Sequence, residues 1–182
     1  MLGRAAKSLL LTALLGMICA LATPAAAVSD GAVKRVSASR VLANQILAQM
    51  NAVRAQYRLA PLRLSARLGA AAAAHSTQMG RRGYFSHSSA NGSAFWKRIQ
   101  HYYRSGGYRL WAVGENLLWS SPGVDAGVAV QMWMNSAPHR ENLLSPRWRE
   151  VGVSALHVSN APGVFGGREV TIVTADFGAR SH

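Results

Sequence analysis

The sequence has few cysteines and few acidic residues, which proteins use to cross-link a fold and to form catalytic or metal-binding sites. Its 182 residues include one cysteine, Cys19, and seven acidic side chains against twenty basic ones. A lone cysteine excludes an intramolecular disulfide and any metal site built from paired cysteines. Because acids are scarce, a carboxylate inside an apolar segment calls for an explanation, and Glu115 lies in such a segment, 114-GENLLW-119.

The first 27 residues are interpreted as a signal peptide. Arg4 and Lys7 precede an uncharged apolar stretch that ends in 25-AAA-27, the small residues that signal peptidase cleaves after. A membrane anchor is the alternative, but polar residues and a proline interrupt the run, which is short for a span of about 20 strongly apolar residues. A lipid anchor at Cys19 is disfavoured by the bulky Ile18 before it. The mature chain is therefore expected to be exported and free of cysteine.

Composition divides the rest into a linker, residues 28–38, and one domain, residues 39–180. Removing the signal peptide lowers the formal net charge from +13 to +11, because Arg4 and Lys7 are lost. A basic exported protein favours anionic cell-wall or membrane components as partners. The basic residues are scattered without interleaved aromatics, so specific nucleic-acid binding is not expected. The location is predicted to be extracytoplasmic, with release to the medium or retention in a periplasm left open.

Apolar spacing predicts helices first and strands last, which indicates an α+β fold. Leu62 and Leu64 are expected to point inward, as are Val128 and Met132 together with either Ala129 or Trp133. The segment 110–119 is apolar enough to be buried but shows no clear period. The first predicted helix begins after Ser37 or Ser39, and the second begins after Ser65 and ends at Gly83. Three further helices are predicted at 93–104, 124–135 and 136–144, and two strands at 151–158 and 169–178.

Two of the six histidines lie in short loops flanked by small residues, where site residues tend to be found. These are His87 and His139, whereas His75 falls on the apolar face of a helix and is interpreted as a core histidine bonded to a neighbouring loop. The sequence has no H-E-x-x-H helix and no G-x-S-x-G turn. Residues His87, Glu115 and His139 come from separate segments, so a shared site among them depends on the fold.

The order of several short motifs resembles the CAP superfamily, which groups cysteine-rich secretory proteins, antigen 5 and plant pathogenesis-related proteins and is also called the SCP domain. The likeness is greatest to its short bacterial branch without disulfides, and it covers about residues 42–178. It implies an α-β-α sandwich with a central, mostly antiparallel sheet. The motifs are 84-YFSHSS-89, 114-GENLLW-119, 130-VQMWMNSAPHRENLL-144, 151-VGVS-154 and 176-DFG-178.

The resemblance implies a cleft with two histidines and two acids, and it matches His87, His139 and Glu115 to three of them. The second acid would lie three residues after Trp133, where this chain has Ser136. Glu141 is close by in sequence, but a helix over 138–144 would point it away from His139.

Asn116 and Ser136 are expected to be hydrogen-bonding residues of the cleft wall. Glu115 is expected to orient a histidine or a bound water, or simply to hold the two histidine loops in place through the backbone.

Two neutral imidazoles make a partial site for Zn²⁺ or another divalent ion, with water completing the coordination. Without a second acid, such a site binds weakly and loses affinity as the imidazoles protonate below about pH 6.5. The leading hypothesis is therefore a non-enzymatic binding module, which the resemblance extends to a possible lipid ligand. The alternatives are a hydrolase of peptides or wall polymers, using metal-bound water, Ser86 or Ser88, and a basic wall-adhering protein with a vestigial cleft.

Overall fold

The chain folds into three layers, a central sheet between two groups of helices. A computed structural model describes residues 36–182, and the predicted signal peptide and residues 28–35 of the predicted linker lie outside them. In chain order the elements are β1 (Val36–Ala38), α1 (Arg40–Gln56), β2 (Arg63–Leu64), α2 (Ala66–Arg82), α3 (Phe95–Tyr102), β3 (Leu110–Ser120), α4 (Ala126–Asn135), α5 (Ala137–Leu144), β4 (Glu150–Ala161), a 3₁₀ turn (Gly163–Phe165) and β5 (Arg168–Ser181).

The sheet runs in the order β1-β4-β5-β3, so β3 lies at one edge of this path. All pairs along the path are antiparallel, and the two-residue β2 adds a parallel pairing to β4. The α+β class and the mostly antiparallel sheet predicted from the sequence are confirmed. Of the helices among residues 36–182, none is long and apolar enough to cross a membrane.

Successive side chains of a strand point to opposite faces, and the two faces of this sheet carry different helices. One face packs against α1, α4 and α5, and the other against α2 and α3. The buried residues of the first face include Ile46, Met50, Trp133, Leu143, Val173, Ala175 and Phe177. Those of the second face include Leu68, Met79, Ile99, Leu117, Leu156 and Ile172.

Helix α2 lies directly on β4 at Gly152. A Cβ at Gly152 would fall 1.9 Å from the backbone nitrogen of Gly69 and 2.1 Å from the carbonyl carbon of Leu68, both in α2. Only glycine leaves room for this backbone approach. The contact fixes the height of α2 above the sheet and so the position of the loop that follows it.

The ends of the first two helices are as predicted. Ser39 is the N-cap of α1, and its hydroxyl accepts a hydrogen bond of 3.2 Å from the backbone N–H of Leu42. Gly83 ends α2 in the left-handed conformation, with φ of 73°. The second end matters most for function because the loop after Gly83 carries His87.

Two segments differ from their predicted conformation. Residues 36–38, assigned to the linker, form β1, which pairs with β4 in the register Val36↔Val158. Residues 110–120 form β3, which alternation did not reveal because a central stretch of it is buried on both faces: Leu117 and Leu118 are 4% and 5% exposed.

Three side chains expected in the core are exposed instead. Leu64 is 62% exposed because it sits on the two-residue strand β2 at the sheet margin. Val128 and Met132 are 50% and 40% exposed. Helix α4 buries the adjacent stripe, which includes both Ala129 and Trp133, and the Trp133 indole N–H donates to the Leu117 carbonyl at 3.2 Å.

Candidate functional site

Strand β3 carries two polar residues that the sheet sends to opposite faces. Glu115 points to the α2–α3 side and Asn116 to the α5 side, since neighbours on a strand alternate. Both are buried, with Glu115 7% and Asn116 1% exposed. Because β3 is an edge strand, groups from the two helical layers can meet across it.

The Glu115 carboxylate is held by two cationic or donor side chains. Its Oε1 accepts from Nδ1 of His87 at 2.8 Å, and its Oε2 forms an ion pair with Nη2 of Arg98. The Glu115 side chain is 1% exposed whereas that of His87 is 52% exposed. Since a carboxylate only accepts, Nδ1 of His87 is the donor, and Nε2 is the ring nitrogen without a hydrogen-bond partner among residues 36–182.

Arg98 on α3 is a site residue that the sequence reasoning missed. Its side chain is 9% exposed, and Nη1 also donates to the His87 carbonyl and the Ser89 hydroxyl, at 3.3 Å each. Arg98 thus supports both Glu115 and the loop that carries His87. A signal was available, because a buried acid needs a compensating cation, and Arg98 immediately precedes the buried Ile99.

A second carboxyl group, from Asp176, lies beside Glu115. The two residues are directly opposite in the β3–β5 ladder, and Asp176 is 0% exposed. Neither of its oxygens accepts a hydrogen bond from any residue in 36–182. Burial raises the pKa of Asp176 well above its usual value, and the Glu115 charge adds to the rise while Arg98 opposes it. The protonated form of Asp176 is therefore favoured in the folded protein, and it can donate its proton to Glu115.

Sequence reasoning placed Asp176 only in a strand motif, 176-DFG-178, and assigned it no role. An aspartate inside the apolar strand 169–178 was the available signal, because a buried acid needs a partner. That the partner is Glu115 depends on strand register, which the sequence does not display.

His75 is a buried histidine of α2, as predicted. It is 0% exposed, and its Nε2 donates to the Ser86 carbonyl at 2.8 Å. Burial lowers the pKa of His75 to about 4, with the Glu115 charge as the largest opposing influence. His75 is thus neutral at physiological pH and ties the start of the His87 loop to the core.

His139, at the start of α5, is oriented in a comparable way. Its Nδ1 lies 2.9 Å from the Ser136 hydroxyl, and its carbonyl accepts from Nδ2 of Asn116 at 2.9 Å. The amide oxygen of Asn116 accepts in turn from Asn142 at 2.9 Å, a contact that the sequence reasoning missed. Burial lowers the pKa of His139, and the nearby His87 lowers it further.

The structure brings four of the five predicted site residues to one cavity of about 430 Å³, which is called the cleft below. They are His87, Glu115, Asn116 and His139. Ser136 lines instead an adjoining apolar cavity of about 270 Å³, which it shares with His139.

Two walls of the cleft are aromatic, Phe95 and Trp148. Glu141 is exposed and lines a third cavity that does not include His139, and it is not among the residues that line the cleft, so it does not replace the second acid.

The donor set of the cleft suits a metal ion only in part. Within residues 36–182 there is no group of three or more histidine, cysteine, aspartate or glutamate residues arranged to hold one. Both Glu115 oxygens already bind protein groups, so Glu115 is a hydrogen-bond acceptor behind His87 and not a free ligand. The groups that remain are the Nε2 atoms of His87 and His139.

Comparison with known proteins places these features in one family. The sequence model of the cysteine-rich secretory protein family, CAP, matches residues 47–177. The uncharacterized membrane protein YlbC of Bacillus subtilis (strain 168) is 32% identical over 127 residues, which is 70% of this chain and 34% of that protein. This chain therefore spans about a third of the length of that relative.

Two solved structures share the fold. An extracellular protein containing a SCP domain from Bacillus anthracis str. Ames is 29% identical, with a TM-score of 0.56 over 75% of this chain and 39% of that one. An outer surface protein from Borrelia burgdorferi is 19% identical, with a TM-score of 0.65 over 81% of this chain and 98% of that one. The second likeness concerns the fold alone.

Proposed function

Because this chain belongs to the CAP, or cysteine-rich secretory protein, family, we propose that it is an extracytoplasmic binding module whose cleft takes a divalent cation between His87 and His139. The extracellular character of the structural neighbour from Bacillus anthracis supports the location. So does the apolar N-terminal segment, which has the sequence features of a signal peptide.

The observation that carries the proposal is the matched orientation of the two imidazoles. Nδ1 of His87 is bonded to Glu115, and Nδ1 of His139 is bonded to Ser136. The proposal assigns the proton to Nδ1 in both rings, with the Ser136 oxygen accepting it. Each Nε2 then has a lone pair for a ligand in the cleft that both rings line.

Zn²⁺ is the cation that this chemistry suits best, since it binds neutral imidazole nitrogens and completes its coordination with water. The ion would supply a Lewis-acidic centre for a polar ligand. Glu115 would hold His87 in the required tautomer and Ser136 would do the same for His139. Binding is expected to be weak because no carboxylate in the cleft is free to act as a charged ligand.

A serine-type hydrolase has less support. The Ser86 hydroxyl accepts from the backbone N–H of Ser88, and the Ser86 carbonyl accepts from His75. No histidine ring among residues 36–182 bonds to either of these hydroxyls. Nucleophilic catalysis by serine needs such a base within hydrogen-bond reach. The binding module therefore remains the preferred function, with hydrolysis as the alternative.

A lipid or another apolar ligand is compatible with the cavity that adjoins the cleft. Its lining includes Phe85, Leu118, Trp119 and Met132, and it meets the cleft at His139. An apolar group of modest size could rest there while its polar end reaches the histidines.

Isothermal titration calorimetry with Zn²⁺ at pH 7.5 tests the proposal. We expect a weak, saturable heat for the wild type and its loss in the His87→Ala/His139→Ala variant. The matched control is His101→Ala/His182→Ala, which removes two exposed histidines away from the cleft and should keep the heat. Equal heats in the wild type and the cleft variant would contradict metal binding at these residues.

A further inference from the structure

A fourth cavity, of about 390 Å³, lies between the end of α2, the loop 84–94 and α3. It is called the basic pocket below. Its lining includes Arg82, Lys97 and Arg98 and no acidic residue. It shares no lining residue with the cleft, although Arg98 pairs with Glu115 in the cleft wall.

Two of the three cations in the basic pocket have uncompensated charges. Arg98 is neutralised by Glu115, but Arg82 and Lys97 form no ion pair with any acid in residues 36–182. Both are exposed, and the Lys97 ammonium lies 5.5 Å from the centre of the Trp96 ring. The basic pocket therefore carries an excess of about two positive charges, which attracts an anion.

Two amide residues of the basic pocket strengthen this preference because their oxygens already accept hydrogen bonds within the protein. Oε1 of Gln78 accepts from the Tyr84 hydroxyl and from the Ala90 backbone N–H. Oδ1 of Asn91 accepts from the Ser93 backbone N–H at 3.1 Å. Neither amide NH₂ group donates to an acceptor in the described part of the chain. Both are thus left as donors beside the two cations.

We propose that the basic pocket binds a phosphate group. Two cationic side chains and two amide NH₂ groups supply more donors than acceptors, and a phosphate presents several strong acceptor oxygens in a tetrahedral arrangement. Neither Gln78 nor Asn91 is fully buried, so a ligand can reach their amides. The site goes beyond the proposed metal-binding cleft, and it does not depend on His87 or His139.

Calorimetry and two-dimensional NMR with sn-glycerol 3-phosphate, against glycerol as the uncharged control, test the proposal. We expect saturable binding of the phosphate and shifts in the side-chain NH₂ signals of Gln78 and Asn91. Arg82→Gln/Lys97→Gln should weaken binding at least about tenfold, because each lost hydrogen bond is to a charged group.

The matched control removes the same charge elsewhere. Arg67→Gln/Arg104→Gln changes two exposed arginines outside the basic pocket and should leave affinity within about twofold at 0.15 M salt, since distant exposed charges are largely screened there. Equal weakening in both variants would overturn the proposal, because it would reveal a response to net charge only. Absence of binding, or equal binding of acetate, would also overturn it.

Vesicles of phosphatidylglycerol, compared with phosphatidylcholine, distinguish the source of the phosphate once glycerol 3-phosphate is found to bind. One outcome is that vesicle binding is lost in Arg82→Gln/Lys97→Gln and retained in Arg67→Gln/Arg104→Gln. That result would support the basic pocket and identify its phosphate group as that of a lipid headgroup. Vesicle binding that is absent or insensitive to both variants would support it as a site for a soluble or wall-linked phosphate.

Discussion

Replacing Asp176 with asparagine should make the protein more stable at neutral pH. Asp176 is completely buried opposite Glu115, and its carboxyl oxygens accept no hydrogen bond from residues 36–182. The folded protein therefore keeps Asp176 protonated where an unfolded chain would ionise it. An asparagine is neutral at every pH, has nearly the same shape, and its NH₂ group can still donate to Glu115.

The size of the effect follows from the raised pKa of Asp176. Below its usual pKa of 3.8, Asp176 is protonated in both the folded and the unfolded state, so its raised pKa does not lower the free energy of unfolding. As pH rises above that value, the unfolded chain releases the proton and gains free energy that the folded protein does not. The wild type should therefore lose about 1.4 kcal/mol relative to Asp176→Asn for each pH unit, until the pH reaches the folded pKa.

Urea unfolding of both proteins from pH 4 to pH 8 measures this difference. Asp125→Asn is the matched control, because it makes the same substitution at an exposed helix cap. Parallel curves for wild type and Asp176→Asn would refute a neutral buried acid. If the wild type instead became more stable relative to Asp176→Asn as pH rises, the result would indicate an ionised Asp176 that is stabilised by Arg98.

Other variants test the groups that support the cleft. As pH falls from 6.5 to 4, the wild type should lose about 3 kcal/mol of its free energy of unfolding relative to His75→Gln. The reason is that the unfolded chain binds a proton at His75 near pH 6.5, whereas the buried His75 has a pKa of about 4. Urea unfolding of both proteins across this pH range measures the difference. Arg98→Met should cost about 3–5 kcal/mol at pH 7 by leaving the buried Glu115 carboxylate without its arginine ion pair, and adding Glu115→Gln should recover part of the loss. Gly152→Ala should prevent α2 from seating on the sheet and lower the melting temperature sharply. Gly69→Ala, whose new Cβ meets nothing within 4 Å, should stabilise α2 by up to about 1 kcal/mol in the same thermal melts.

Local patterns were sufficient for most of the helices and for the last two strands. Ser39 and Gly83 are cap residues whose chemistry acts within one turn of the helix, so their roles can be read from neighbouring positions. Strand β3 could not be predicted from alternation of apolar and polar residues, because the neighbouring residues Leu117 and Leu118 are both buried. The face of α4 was misjudged at Val128 because two apolar stripes compete on that helix, and only the packing of Trp133 decides between them.

The candidate site required more than periodicity. His87, Glu115 and His139 could be grouped through their likeness to a family, since their spacing along the chain says little about distance. Arg98 and Asp176 were missed because their roles depend on long-range contacts. Asp176 meets Glu115 through the pairing of β5 with β3, whose register is determined by the packing of both faces.

The central claim is that Glu115 and Ser136 hold the two cleft imidazoles with their Nε2 atoms available to a ligand. Long-range ¹H–¹⁵N NMR of the histidine side chains at pH 7.5, during a Zn²⁺ titration, tests it most directly. The account predicts the Nδ1–H tautomer for His87 and His139 before zinc is added, and Nε2 signals that shift together as it binds. An Nε2–H tautomer in either ring, or zinc-induced shifts at histidines outside the cleft only, would contradict it.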